Sequence, residues 1–147
     1  MNHDRRKILA SALGALGLLG SSKVFSTVEE VEFAIESIVG DSDVTQGAVI
    51  LTVPEIAENG HSVSLRVSAD SYTTDNTYVE SIAVFADGNP NPEVITFNFS
   101  ENSGEAFVAT RMRLAQTQNV IAVAKLSDGS FFSDSKFVNV TIGGCGA

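Results

Sequence analysis

The spacing of apolar and polar positions changes twice along this chain. Residues 8–20 (ILASALGALGLLG) form one run of apolar and small residues. Residues 27–40 then place apolar side chains at mostly helical spacing with glutamates between them, which predicts one amphipathic helix. From Asp43 onward the period falls to two, and the alternation is clearest in Val63, Leu65, Val67 and Ala69.

The period-two region is divided by turn chemistry into about seven runs. Asn59-Gly60, Asp87-Gly88 and Asp128-Gly129 supply turn residues between runs. The predicted strands are 48–53, 62–69, 79–86, 94–99, 106–114, 120–126 and 131–142. Seven short strands without intervening helices predict an all-β domain over 43–142. An immunoglobulin-like antiparallel β-sandwich is the expected architecture, with a barrel as the alternative.

The first 26 residues have the features of an export leader. Arg5 and Arg6 stand directly before the apolar run of 13 residues, which is well short of the roughly 20 that span a bilayer. A charged start, an apolar stretch and small residues predict a cleaved signal over 1–26, and the arginine pair indicates the twin-arginine route. We therefore expect a periplasmic protein whose main domain covers 27–142, with no membrane partner.

Charge narrows the classes of partner. The chain carries nine Lys and Arg against 18 Asp and Glu, a formal net charge of −9. Removing the leader takes away four basic residues and one acidic residue, which leaves five against 17, or −12. Such a surface repels nucleic acid on average, so we expect no nucleic-acid partner.

The inventory of reactive side chains argues against catalysis. His61 is the one histidine beyond the leader, so a histidine-rich zinc site or a blue-copper site cannot be assembled, and no metal is expected. A Ser-His-Asp triad would have to use His61, which lies in a predicted turn. The expectation is a non-enzyme without catalytic residues. A hydrolase that uses His61 stays open as an alternative.

Cys145 is the one cysteine of the chain, although oxidising compartments favour paired cysteines. It cannot form an internal disulfide. Gly143, Gly144, Gly146 and Ala147 surround it, and they predict a flexible arm over 143–147 that reaches about 16 to 18 Å when extended. A thiol on such an arm predicts an attachment point for covalent cargo. The alternative is an assembly or adhesion module in which Cys145 forms an intermolecular disulfide.

Several segments together resemble the SoxY sulfur carriers of the periplasmic Sox pathway of thiosulfate oxidation. They are residues 53–60 (VPEIAENG), 89–92 (NPNP), 111–115 (RMRLA), 126–129 (LSDG) and 140–146 (VTIGGCG). The twin-arginine start also suits this family. The chain departs from it at Ala147, where the family usually ends in glycine.

The resemblance implies a carrier cycle on Cys145 without any other cofactor. A c-type cytochrome would join thiosulfate to the cysteine as an S-thiosulfonate, and a hydrolase would then release sulfate. A sulfane dehydrogenase is a further candidate partner for the sulfur that remains. The resemblance also implies a heterodimer with a SoxZ-like subunit.

Overall fold

The computed structural model describes residues 25–70 and 77–144. Within them lie one helix and nine strands. They are α1 (Val28–Val39), β1 (Val44–Gln46), β2 (Val49–Thr52), β3 (Ile56–Ala57), β4 (Val63–Ala69), β5 (Val79–Ala86), β6 (Glu93–Asn98), β7 (Ala106–Met112), β8 (Gln118–Leu126) and β9 (Phe131–Val140).

Helix α1 begins and ends where its sequence predicts. Thr27 is the N-cap, and its hydroxyl accepts a hydrogen bond from the Glu30 N–H at 3.3 Å. The Glu30 carboxylate accepts one from the Thr27 N–H at 2.9 Å, which completes a capping box. Gly40 ends the helix with a φ of 60°. The prediction of one N-terminal amphipathic helix is confirmed.

The strands form two sheets. The larger has the order β1-β9-β8-β5-β6, with β3 also paired to β9, and the smaller has the order β2-β4-β7. Neighbouring strands are antiparallel except β1 and β3, which run parallel to β9. The prediction of an all-β sandwich is confirmed. It missed β1 and β3, because two or three residues are too few for an alternation to show.

The larger sheet is covered on both faces, and this explains the long apolar run in β5. Ile82, Val84 and Ala86 point into the main core against the smaller sheet. Ala83 and Phe85 point to the other face, where α1 packs. Strand β4 lies in the outer sheet and buries only one face, so it keeps the strict alternation from Val63 to Ala69.

One carboxylate ties the two sheets together. Asp134 of β9 accepts a hydrogen bond from the Leu51 N–H of β2 at 2.9 Å and one from the Lys136 ammonium at 3.0 Å. Burial raises the pKa of Asp134, but these two donors and the charge of Lys136 lower it by more. The pKa of the Asp134 carboxyl therefore lies below its ordinary value, and its charged form stabilises the junction.

Ser26 contacts the sandwich, although the sequence predicts it as the last residue of an export signal over 1–26. Residues 1–24, including Arg5 and Arg6, lie outside the described residues, so the export signal stays a prediction. Ser26 is 5% exposed. Its N–H donates to the Asn89 carbonyl at 2.7 Å, and its hydroxyl contacts the carbonyls of Ala86 and Asn89 at 3.2 and 2.6 Å. These bonds attach Ser26 to the loop that follows β5.

Candidate functional site

The end of β9 leads the chain between two loops. The Thr141 N–H donates to the Ala57 carbonyl at 3.0 Å, and the Ile142 carbonyl accepts from the Gly60 N–H at 2.7 Å. On the other side, the Gly144 N–H donates to the Leu114 carbonyl at 2.8 Å. The two loops are joined to each other by a bond of 2.9 Å from the Leu114 N–H to the Gly60 carbonyl. Backbone groups thus join three chain segments, and the Thr117 hydroxyl adds one side-chain contact by accepting from the Val140 N–H at 3.0 Å.

We call this arrangement the glycine clasp, made of Gly60, Gly143 and Gly144 with the backbone of Leu114 and Ala115. A Cβ on Gly60 would collide with the Leu114 carbonyl and lie 2.7 Å from the Gly144 nitrogen. A Cβ on Gly143 would collide with the Ala115 carbonyl, and one on Gly144 would collide with the Gly60 carbonyl. None of the three glycines has a positive φ. They are needed for space, because the backbones approach too closely for any side chain.

The clasp differs from the flexible arm that the sequence predicts over 143–147. Gly144 is buried and packs against the backbone of Gly60. Gly143 is partly buried and packs against the backbone of Ala115. The first two residues of the expected arm therefore belong to the domain. Cys145, Gly146 and Ala147 lie outside the described residues, so the attachment role of Cys145 stays a prediction.

A buried polar network holds the loop that forms one side of the clasp. The Asn89 side-chain carbonyl accepts from the Ala115 N–H at 2.8 Å and from the Gln118 amide at 3.0 Å, while its NH₂ donates to the Arg113 carbonyl at 3.0 Å. Gln118 in turn accepts from the Gly88 N–H at 2.8 Å. Asn89 and Gln118 are 7% and 3% exposed. Buried amides of this kind fix a loop firmly, because every bond lost leaves a polar group unpaired.

The clasp unites segments that are distant in sequence. Four of the five segments on which the family resemblance depends have described residues that meet here: 53–60, 89–92, 111–115 and, as far as Gly144, 140–146. In the sequence these segments show no shared role: Asn59-Gly60 predicts a turn, and 89–92 contributes only to the family resemblance. Only the fold shows that both support the segment that leads to Cys145.

His61 also lies beside the clasp. Its N–H donates to the Asn59 side chain at 2.9 Å, and a Cβ on Gly144 would lie 2.6 Å from its backbone nitrogen. Nearby, the Arg111 guanidinium donates to the Ser62 carbonyl and hydroxyl, both at 3.2 Å. In sequence, the basic residue nearest to Cys145 is Lys136, nine positions away. Folding thus brings His61 near the C-terminal segment, which sequence distance does not show.

The described residues form neither a catalytic triad around His61 nor a metal site. Within 25–70 and 77–144, the His61 side chain forms no hydrogen bond with a serine or a carboxylate, so a triad around it has no support. The same residues contain no group of three or more His, Cys, Asp and Glu arranged to hold a metal ion. In this part of the chain, no helix has the length and apolar character needed to cross a membrane.

Fold and site together define a small immunoglobulin-like β-sandwich protein whose C-terminal segment is anchored by backbone contacts. The model of the family described as sulfur oxidation protein SoxY matches residues 35–145, so the chain belongs to the SoxY family. No curated protein sequence matches it significantly.

Solved structures agree with this assignment. The sulfur carrier protein SoxY from Chlorobium limicola f thiosulfatophilum is similar with a TM-score of 0.66 and 27% identity, covering 79% of this chain and all of that one. A superoxide reductase (neelaredoxin) from Ignicoccus hospitalis has a TM-score of 0.55 at 16% identity, covering 79% and 94% of the two chains. A putative superoxide reductase from Thermotoga maritima has 0.51 at 18%, covering 67% and 87%. The reductases share the fold alone.

Proposed function

We propose that this protein is a periplasmic sulfur carrier that holds thiosulfate-derived intermediates covalently on Cys145. The observation that carries the proposal is the match to the SoxY family, which extends to residue 145, the chain's one cysteine. The clasp supports it, because three other segments of the domain converge to hold the residues directly before that cysteine. The protein itself is not the enzyme in this scheme. Partner enzymes act on the cargo.

Loading is an oxidation. The thiol of Cys145 and the sulfane sulfur of thiosulfate form a disulfide bond, which releases the thiol proton and two electrons. A c-type cytochrome is the acceptor of the electrons. The product is a cysteine S-thiosulfonate.

Release of sulfate is a hydrolysis. Water attacks the terminal sulfonate sulfur, the bond between the two cargo sulfurs breaks, and sulfate leaves while a persulfide remains on Cys145. No electrons are transferred in this step. A sulfane dehydrogenase would oxidise the remaining sulfur in later steps. A SoxZ-like subunit completes the proposed assembly as a heterodimer, and the twin-arginine route delivers it to the periplasm.

Intact mass tests the proposal directly. The protein is purified without reductant, incubated with thiosulfate and an oxidised c-type cytochrome fraction from a thiosulfate-oxidising bacterium, and weighed by mass spectrometry. We expect adducts of one or more sulfur atoms or of thiosulfate that disappear on treatment with reductant. Cys145→Ser is the matched control, because it removes the thiol and keeps a side chain of similar size. Adducts that persist in this variant, or none on the native chain, would refute carriage on Cys145.

The same measurement decides the alternative function. An assembly or adhesion module that uses an intermolecular disulfide would give only a cysteine-linked dimer of the chain. That dimer would form without thiosulfate and without a cytochrome. A clean dimer with no sulfur adduct would therefore replace the carrier proposal with this one.

The acidic surface suggests how a carrier meets several enzymes in turn. A net charge of −12 beyond the leader would steer the protein toward basic entrances by long-range attraction, without tight binding. We expect the rate of loading by the cytochrome to fall as salt is added, since screening shortens the range of the attraction. A rate that does not change with ionic strength would remove electrostatic steering from the scheme.

A further inference from the structure

We propose that Gly60 is a positioning residue for the cargo cysteine: the closed clasp fixes Gly144, the residue directly before Cys145. The biological meaning of this inference rests on the proposed function of Cys145. The anchoring itself does not depend on cargo. It follows from the contacts of Gly60 with the segment that ends at Gly144.

Gly60 occupies the centre of the clasp. Its N–H donates to the Ile142 carbonyl, and its carbonyl accepts from the Leu114 N–H. Its Cα faces the Gly144 nitrogen and the Leu114 carbonyl so closely that no side chain fits between them. One residue thus binds the segment before the cysteine and also joins the two loops on either side of it. Any larger residue at position 60 has to displace the backbone of Leu114 or of Gly144.

The clasp shortens the reach of the cysteine. The clasp holds Gly144, which directly precedes Cys145 in the sequence. An arm that is free after Ile142 would carry the cysteine on three extended residues, about 10 to 11 Å, whereas an arm that is free only after Gly144 carries it on one, about 3.3 to 3.6 Å. With the clasp closed, a partner enzyme must therefore bring its entrance to the surface around His61 and Ala115. Deeper insertion of the cargo requires the clasp to open.

Opening at this place is local. The clasp contributes backbone hydrogen bonds and close backbone packing, while its glycines bury no large apolar side chain. Regions of this kind open at lower free energy than the core of the same protein. The rest of the sandwich need not unfold: the side chain of Leu114 belongs to the main apolar cluster and can stay packed there while Gly143 and Gly144 are released.

A spin label tests the positioning role, and the chain makes the labelling unambiguous because it has one cysteine. A nitroxide is attached to Cys145 in the native sequence, in Gly60→Ala and in Gly104→Ala. Gly104 is the matched control: it has a φ of +74°, so alanine strains the backbone there, but it has open space around it and no contact with the clasp. We expect a restricted spectrum for the native chain and the control. We expect motion about tenfold faster in Gly60→Ala.

Amide exchange in the unmodified protein gives an independent test if Gly60→Ala does not fold. We expect the amides of Gly60, Leu114 and Gly144 to exchange at least about tenfold more slowly than in an unstructured chain. An unprotected Gly144 amide would overturn the proposal. So would a label that is equally mobile in the native chain and in Gly60→Ala. Neither result depends on cargo, whereas the mass experiment reports carriage alone, so failure of one proposal is distinguishable from failure of the other.

Discussion

Glycine serves two different purposes in two regions of this protein. In the turns of the sandwich, Gly104 and Gly129 have φ values of +74° and +85°, and nothing lies within 4 Å of the place where a Cβ would be. In the clasp, Gly60 and Gly144 have no positive φ, and a Cβ would collide with neighbouring backbone. The turns need the conformational range of glycine, and the clasp needs its small size. A glycine-rich motif is therefore no proof of flexibility.

Among substitutions that affect the sandwich but not the clasp, one in the core is expected to lower the free energy of unfolding most. Leu65 is fully buried in β4 and does not take part in the clasp. Leu65→Ala should lower the free energy of unfolding by about 2 to 5 kcal/mol, through lost burial and the cavity left behind. Urea unfolding measures this loss. The spectrum of a spin label on Cys145 should stay unchanged as long as the variant is folded. A label that becomes mobile would show that the clasp has no stability of its own.

Asn89 connects the two regions, so its removal should affect both. Asn89→Ala leaves the buried Ala115 N–H and the partly buried Arg113 carbonyl without their partner. The expected cost is about 1 to 3 kcal/mol in unfolding free energy. Exchange of the Gly144 amide should also accelerate, because the loop that accepts its bond is released.

Asn91→Ala is the control for that experiment. Asn91 lies two positions away, is exposed, and donates to the nearby Glu93 carbonyl at 3.2 Å. We expect little change in stability and none in exchange of the Gly144 amide. If Asn91→Ala and Asn89→Ala behave alike, the network does not support the clasp.

The sandwich was predictable from the sequence because its signals are local. Period two in Val63 to Ala69 reports one buried face, and Thr27 with Glu30 reports a helix start; both were confirmed. The clasp depends on contacts between positions 60, 114 and 144, which no local pattern reveals. The glycines at 143 and 144 predict a flexible segment because glycine has high conformational entropy. In the structure, glycine is needed at both positions because a Cβ would collide with neighbouring backbone. The contacts of Ser26 were not predictable for the same reason, since its partners Ala86 and Asn89 lie about 60 residues away.

Replacing a turn glycine should lower the free energy of unfolding less than Leu65→Ala or Asn89→Ala does. Gly104→Ala keeps the open space but forces a side chain into a left-handed conformation, which costs about 1 to 2 kcal/mol. Thermal or urea unfolding measures the loss. Gly104→Asn should recover part of it, because asparagine tolerates this conformation better than alanine. Equal stability of the two variants would mean that the positive φ is not what selects glycine here.

The smallest expected effect concerns pH, and it divides the two regions by their chemistry. The pKa of Asp134 is lower in the folded protein than in the unfolded chain, so its charged form contributes stability above the unfolded value near 3.9. That contribution is lost as the pH falls through the lower folded pKa, when the carboxylate is protonated. We expect it to be under about 1 kcal/mol, since one edge of the side chain remains in water. Asp134→Asn should remove this part of the pH dependence of urea unfolding between about pH 5 and 2.

The bonds of the clasp join only amide and carbonyl groups, none of which titrates in this range. Protection of the Gly144 amide, corrected for the intrinsic pH dependence of exchange, should therefore stay constant while the folded state persists. A clasp that loosens in step with protonation of Asp134 would show that the sheet junction and the clasp open as one unit.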